Sequence, residues 1–161
     1  MPVPKQVVRM VLAGLTCGAL VTTGACGLAN GDDGPTAAEA GTQLAKDARS
    51  LLDQDRSLTN VRVSDDAGRD VACDDGKAKR SFAADARLNN AADVDSFLDN
   101  ETDVVVGRLS SMGYELKSDE GSDPPADRKV VSTKDSLPIT MTVVLRGDGS
   151  TLRLTGETAC L

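Results

Sequence analysis

The sequence predicts an α+β domain in which one antiparallel sheet of about five to six strands carries two helices on one face. Several short segments alternate between apolar and polar residues, which is the period of a half-buried strand, and tight turn signals join them in pairs. Two longer segments instead repeat apolar residues at helical spacing. We expect residues 37–161 to form this single domain.

The first helix is expected to begin after Thr36. Thr36 and Glu39 have capping-box spacing, which lets each side chain accept a hydrogen bond from the other's backbone N–H group. Apolar residues then recur on one side of the predicted helix, at Leu44, Ala48, Leu51 and Leu52. The same spacing assigns four charged residues to the solvent side, namely Lys46, Asp47, Arg49 and Asp53.

Alternation of apolar and polar residues predicts two strands after the first helix, and a second helix is expected to follow them. A first strand contains Thr59, Val61 and Val63, and a longer strand spans 78–88 with Phe82, Ala84, Ala86 and Leu88 on one side. The segment 94–112 is expected to be the longest helix of the chain, with Gly113 as its C′ residue. Glu101 is the one charged residue in the apolar stripe of that helix.

The C-terminal third predicts the rest of the sheet. Tyr114 and Leu116 begin another alternating strand, and the segment 119–128, with its two consecutive prolines, is expected to be a surface loop. Apolar residues then alternate over 139–145 and at Leu152 and Leu154, on either side of the turn 147–150. This arrangement predicts a C-terminal hairpin.

The first 25 residues have the organisation of a signal peptide. Lys5 and Arg9 precede an apolar run over 10–21, which is too short to span a bilayer as a helix. Gly24-Ala25-Cys26 is similar to a bacterial lipobox, in which Cys26 would receive a diacylglyceryl group after cleavage. Because Thr23 and Ala25 also satisfy the rule for ordinary secretion, secretion with a free Cys26 is the alternative. Residues 26–36 are rich in Gly, Asp and Pro and are expected to be a flexible tether.

Three cysteines remain after such a cleavage. An exported compartment favours disulfides, and three thiols cannot all pair with one another. We expect Cys73 and Cys160 to form a disulfide, which leaves Cys26 for the lipid. The competing arrangement pairs Cys73 or Cys160 with Cys26 or with another protein.

The layout resembles the small exported actinobacterial lipoproteins of unknown function. The resemblance rests on the lipobox-like site before Cys26, the tether, Cys73 ahead of a strand, Gly113 followed by Tyr114, and a final hairpin that ends at Cys160. It implies a lipid-anchored protein on the extracytoplasmic face of the cell membrane. No activity and no site residues come with it.

Several kinds of chemistry are excluded by composition. The chain has no histidine, so Ser-His and Cys-His nucleophiles and imidazole metal sites are not available. With 25 acidic and 18 basic residues, the chain would be repelled by nucleic acid. The acidic pairs Asp65-Asp66 and Asp74-Asp75 fall in predicted turns, where solvated aspartate is common. The cluster of Lys77, Lys79 and Arg80 is expected to be a solvated strand edge.

The sequence therefore predicts no catalytic residue, no cofactor and no metal site. The favoured function is a non-catalytic interaction module of the cell envelope, held at the membrane by its N-terminal lipid, with an envelope protein as partner. One alternative is a protein that binds a small ligand or a metal ion, for which a pocket lined by Phe97, Tyr114 and Met141 would be expected. The other is an atypical hydrolase, for which clustered carboxylates with raised pKa values in a cleft would be expected.

Overall fold

Two helices and a six-stranded antiparallel sheet make up the core of the protein, as predicted. The structure is a computed structural model, and it describes residues 34–89, 93–120 and 127–161. All of these residues belong to one compact unit. The predicted signal peptide, Cys26 and most of the expected tether lie outside the described residues.

The helices are α1 (Ala37–Gln54) and α2 (Val94–Ser111). The main sheet has the strand order β1-β4-β8-β7-β6-β5, and every neighbouring pair is antiparallel. Its strands are β1 (Leu58–Asp66), β4 (Ser81–Leu88), β5 (Glu115–Glu120), β6 (Arg128–Lys134), β7 (Ile139–Leu145) and β8 (Thr151–Thr158). Two further strands, β2 (Val71–Ala72) and β3 (Ala78–Lys79), form a small hairpin around a 3₁₀ turn. Neither helix of the described ranges is long and apolar enough to cross a membrane.

The helix ends follow the expected capping chemistry. At the start of α1, Thr36 Oγ1 accepts a hydrogen bond from the backbone of Glu39 at 3.2 Å, and Glu39 Oε2 accepts one from the backbone of Thr36 at 2.9 Å. After α2, Gly113 has a φ of +84°, a left-handed conformation that glycine adopts without a steric penalty. Both helices have 18 residues, so the expectation that α2 is the longest helix is wrong.

The core lies between the helices and one face of the sheet. The strand register brings buried residues into rows, for example Phe82 of β4 beside Gly156 of β8, which is itself beside Met141 of β7. A Cβ atom on Gly156 would lie 2.5 Å from Leu44 of α1, so the glycine lets the helix pack directly on the strand. α1 packs mainly on β8, and α2 packs mainly on β6.

One sequence expectation fails at the margin of this core, and one confirmed strand lies outside it. Asp47 was assigned to the solvent side of α1, but its residue surface is only 5% exposed. The strand at Val61 and Val63 exists, yet both side chains are more than 40% exposed. The reason is that β1 is an edge strand with two irregularities in its pairing to β4, so its alternation does not follow the buried face.

The predicted disulfide between Cys73 and Cys160 is present, with 6.1 Å between the Cα atoms. It joins the turn after β2 to the C-terminal tail. The backbone of Leu161 also exchanges hydrogen bonds of 2.9 and 3.1 Å with Ala78 of β3. The bridge and these bonds together fasten the end of the chain to the β2–β3 hairpin.

Candidate functional site: an open sheet face and two buried carboxyl groups

The sheet face opposite the helices is not covered by any element that the structure describes. We call it the open face. Its central row crosses four strands, because Val131 of β6 pairs with Thr142 of β7, Thr142 pairs with Thr155 of β8, and Thr155 pairs with Ala83 of β4. These four residues, which we call the uncharged belt, are all half-buried. The belt therefore presents small side chains without formal charge.

Charged side chains lie on either side of the belt, and their signs differ. Toward one end of the strands, which we call the basic end, are Arg62, Arg87 and Arg153 together with one described acidic residue, Asp85. The Arg153 Nε atom lies 3.8 Å from Asp85 Oδ1. Among the described side chains, arginines therefore outnumber the acid at this end.

The opposite end, which we call the acidic end, carries Glu115 and Glu157, and Asp65 lies where β1 continues the belt row, paired with Ala83. Lys79 Nζ lies 2.9 Å from Glu157 Oε2, and Lys117 Nζ lies 3.3 Å from Glu115 Oε2. Asp65 Oδ2 accepts a hydrogen bond of 2.6 Å from the Ser81 hydroxyl. Both ion pairs are well exposed.

Both edges of the sheet are unsuited to the addition of another strand. On β1 the pairing slips between Thr59 and Arg62, and Asn60 has a φ of +53°. On β5 the pairing slips between Leu116 and Ser118. Irregular pairing and charged side chains are the usual means by which edge strands avoid pairing with other chains. A partner protein would accordingly find a more regular surface on the open face than on either edge.

The depressions in the open face are shallow and open to solvent. One, of about 380 Å³, lies over the belt between Asp65 and Glu157 and is lined partly by threonine hydroxyls. Another, of about 370 Å³, lies at the basic end beside Arg62 and Arg87. This shape fits contact with another surface better than enclosure of a small ligand.

The three residues proposed for a ligand pocket belong to the core instead. Met141 is fully buried and Tyr114 is 4% exposed, while Phe97 is partly buried against the core cluster. The Tyr114 hydroxyl donates a hydrogen bond of 3.1 Å to Asp47 Oδ2. The structure thus brings Tyr114 and Met141 into the packed interior and not to the wall of a cavity.

Asp47 is the centre of a buried polar network under α1. Gln43 donates a hydrogen bond of 2.7 Å to Asp47 Oδ1, and Lys134 Nζ lies 2.8 Å from Asp47 Oδ2. Lys134 also stands 4.9 Å from the centre of the Tyr114 ring, a cation–π distance. Burial, followed by the charge and hydrogen bond of Asp47, raises the pKa of Tyr114 well above its usual range. Both Asp47 oxygens have partners, so the network is satisfied.

A second buried carboxyl group, Glu101 of α2, lies beside Asp55 at the C-terminal end of α1. The two residues are 7% and 8% exposed. Ser57 donates to Asp55 Oδ1 through its hydroxyl at 2.6 Å and its backbone at 2.9 Å. Arg108 Nη1 lies 2.9 Å from Asp55 Oδ2, at an angle that makes an ion pair but not a hydrogen bond. Glu101 Oε1 is buried and has no hydrogen-bond partner.

The two carboxyl groups differ in protonation. Burial raises the pKa of Glu101 to about 7, and the hydrogen bond and negative charge of Asp55 act in the same direction. Burial also acts to raise the pKa of Asp55, but hydrogen bonds from Glu101 and Ser57 and the Arg108 charge outweigh it, so that pKa is lowered. Below pH 7, Asp55 therefore carries the negative charge and Glu101 holds the proton.

Of the two acidic pairs predicted to lie in turns, Asp74-Asp75 does so, but Asp65 and Asp66 are instead the last two residues of β1 and pair with β4. Asp65 and Asp66 accept backbone hydrogen bonds from Ala67 and Gly68 respectively, while Asp74 and Asp75 lie exposed in the 3₁₀ turn. In the described part of the chain, no three Cys, Asp or Glu side chains are grouped so that they could hold a metal ion. The basic cluster is partly paired, since Lys79 binds Glu157 and Arg80 Nε lies 2.6 Å from Asp70.

Comparison of the chain with known family models, curated proteins and solved structures finds no match. Its function must therefore be argued from the open face and the buried groups. Of these, sequence reasoning missed the Asp55–Glu101 pair, although Glu101 in an apolar stripe was the signal for it. It also missed the segregation of charge on the open face, because that depends on the strand order.

Proposed function

We propose that this chain is a lipid-anchored, non-catalytic interaction module of the cell envelope, and that its open face binds a protein partner. The observation that carries the proposal is the uncharged belt, a half-buried row of Val131, Thr142, Thr155 and Ala83 across four strands. Protein interfaces are depleted of charge at their centre and keep polar groups at the rim. The uncharged belt has this arrangement, because charged side chains lie on either side of it at the two ends of the strands.

The lipid anchor is supported by the sequence and by the pairing of the other two cysteines. Gly24-Ala25-Cys26 follows an apolar run of signal-peptide length, and the disulfide between Cys73 and Cys160 leaves Cys26 as the unpaired cysteine of the cleaved chain. A diacylglyceryl group on Cys26 would supply the two acyl chains that stable anchoring requires. We expect the domain to act outside the cytoplasmic membrane, and plain secretion is the alternative location.

The other two function classes have less support. Ligand binding calls for an enclosed apolar pocket, whereas the depressions on the open face are shallow and bordered by charges. A hydrolase calls for a titrating carboxyl group within reach of a substrate. Glu101 has the raised pKa, but it lies buried between the two helices, where a substrate would not meet it.

Photo-crosslinking in intact cells tests the binding surface. A photoreactive amino acid replaces Thr142 in the belt of the full chain, and in a control variant it replaces Ser110, which is exposed on α2. We expect protein adducts from position 142 and few from position 110. An absence of adducts from position 142, in cells that export the protein normally, would overturn the proposed binding surface.

Mass spectrometry of the mature N-terminus tests the anchor. We expect a diacylglyceryl group on Cys26, and we expect Cys26→Ala to release the protein from the membrane fraction or to stall its processing. A soluble mature protein that begins at an unmodified Cys26 would support plain secretion instead.

A further inference from the structure

The charges on β8, in the middle of the open face, are self-complementary about the uncharged belt. On β8, Arg153 and Glu157 lie two residues to either side of Thr155, and all three point to the open face because the residues between them are buried. On β1, Arg62 pairs with Asp85 on the basic side of the belt, whereas Asp65 pairs with Ala83 and therefore continues the belt row itself. Strand β8 therefore carries a basic residue on one side of the belt and an acidic residue on the other.

A two-fold axis that runs across the strands, along the belt, would use this pattern. Rotation about such an axis brings the open face of a second copy onto the first and reverses the direction of every strand. Each strand then lies over its own counterpart, so Arg153 of one copy meets Glu157 of the other, and Thr155 meets Thr155. An axis along the strands would instead place basic end on basic end and acidic end on acidic end.

The size and composition of the face are suitable for such a dimer. Six strands about 4.8 Å apart, each about seven residues long, give a face of about 700 Å². A stable protein interface of standard size buries about 800 Å² on each partner. The sheets could pack with their strands nearly aligned, as in β-sandwiches. Threonine hydroxyls along the belt could bond to one another across the interface.

We propose that the partner on the open face is a second copy of this chain, bound in a two-fold dimer through the uncharged belt. This inference rests on the proposed function and names its partner. The open face is the isologous surface, and Arg153 with Glu157 sets the relative orientation of the two copies. Both side chains are more than half exposed in the single chain, so they are available to pair between copies.

Charge reversal tests the orientation. Two differently tagged full-length copies are produced in the same cells, and the fraction of one recovered with the other is measured. Arg153→Glu and Glu157→Arg should each reduce co-recovery about tenfold, because each places like charges together at two symmetric points. The variant with both substitutions should restore it, because the opposite charges meet again. Lys46→Glu, on the exposed side of α1, should have no effect.

Far-UV circular dichroism spectra that match the wild-type spectrum show that the fold of each variant is intact, because loss of a dimer would by itself lower the melting temperature. Three results would overturn the dimer: no co-recovery of the wild-type copies, no decrease in co-recovery on either single reversal, or no recovery of binding in the variant with both reversals.

The photo-crosslink at position 142 separates this inference from the proposed function. Adducts with twice the mass of the chain support the dimer. Adducts with a different protein overturn the dimer and leave the proposed binding surface standing. If no adduct forms, both are overturned.

Discussion

Asp47 of α1 and Glu101 of α2 are both buried carboxyl groups, but they are accommodated in different ways. Asp47 faces a cation, Lys134, and each of its oxygens accepts hydrogen bonds. Glu101 faces another carboxyl group, Asp55, and one of its oxygens has no partner. A buried charge is costly unless it is paired, and a group without a counter-charge becomes neutral by taking up a proton.

This difference predicts that the Asp47 site is sensitive to the loss of a partner side chain, whereas the Glu101 site is sensitive to pH. The Asp47 site depends on keeping its partners, because the loss of one leaves a buried charge unpaired. The stability of the Glu101 site depends on pH, because the buried carboxyl group has no counter-charge once it loses its proton. Arg108 joins the two helices at this second site, since it also donates a hydrogen bond of 2.9 Å to the Gln54 carbonyl at the end of α1.

The largest effect should come from Asp47→Ala. The substitution leaves the partly buried Lys134 ammonium group without its counter-charge, and we expect it to lower the free energy of unfolding by about 3–5 kcal/mol. Denaturant unfolding of the variant measures this. Asp53→Ala, on the exposed side of the same helix, is the control and should change stability by less than about 0.5 kcal/mol. Equal effects of the two substitutions would contradict the role given to Asp47.

Reduction of the Cys73–Cys160 disulfide should have the next largest effect. The bridge closes a loop with a sequence separation of 87 residues, so its loss should cost about 2–4 kcal/mol through the greater freedom of the unfolded chain. Because the bridge contacts neither carboxyl site, the loss should be the same at pH 5 and pH 8. Thermal melts with and without a reducing agent measure it, and the Cys73→Ser/Cys160→Ser variant should behave like the reduced protein. A pH-dependent loss would mean that the bridge and a carboxyl site are coupled.

Glu101 should make the domain less stable as the pH rises. Its folded pKa, about 7, lies above the ordinary value of 4.5, so the folded state holds a proton that the unfolded state has already released. The stabilisation is fully present below pH 4.5 and is lost as the pH rises through 7. Between pH 5 and pH 8, we expect a fall of about 1–3 kcal/mol in the unfolding free energy.

Glu101→Gln removes the titration while it keeps the shape and a donor to Asp55. We expect this variant to be nearly independent of pH over the same range and more stable than the wild type at pH 8. Glu115→Gln, at an exposed site on β5, serves as the matched control and should keep the wild-type slope. Parallel pH profiles for wild type and Glu101→Gln would show that Glu101 does not hold the proton.

The smallest effect should come from Tyr114→Phe. The substitution removes one donor to Asp47 and leaves the bonds from Gln43 and Lys134 in place, so we expect a loss of about 1 kcal/mol. Combining it with Asp47→Ala in a double-mutant cycle should give less than the sum of the single effects, because the two groups share one bond. Additive effects would place Tyr114 outside the Asp47 network.

The sequence was most informative where local chemistry decides the structure. The capping box at Thr36, the C′ glycine at Gly113 and the turn at 147–150 each depend on a few neighbouring residues, and each was predicted correctly. Asp47 was predicted wrongly because its partners, Tyr114 and Lys134, are 67 and 87 residues away along the chain. No local spacing could reveal that a cation would be brought to it.

The charge pattern of the open face could not be predicted from the sequence for a related reason. Alternation predicted which residues of a strand share a side, but the segregation of charge requires the strand order and the register. Arg62 comes to lie near Arg87 and Asp85 only because β1 pairs with β4 in the observed register. The expected site at Cys26 lies outside the described residues, so lipidation there stays a prediction.

The position at which α1 begins constrains how an anchored dimer would stand on a membrane. The start of α1 lies beside Leu137, in the turn between β6 and β7 at the acidic end of the open face. Two copies anchored in the same bilayer must be related by an axis along the bilayer normal, and the proposed axis runs across the strands. The strands would then lie parallel to the membrane surface, with one edge of the sheet toward the lipid. The tether that the sequence predicts would, with ten residues, reach about 18 Å, which exceeds the two strand spacings, about 10 Å, between β7 and the β5 edge.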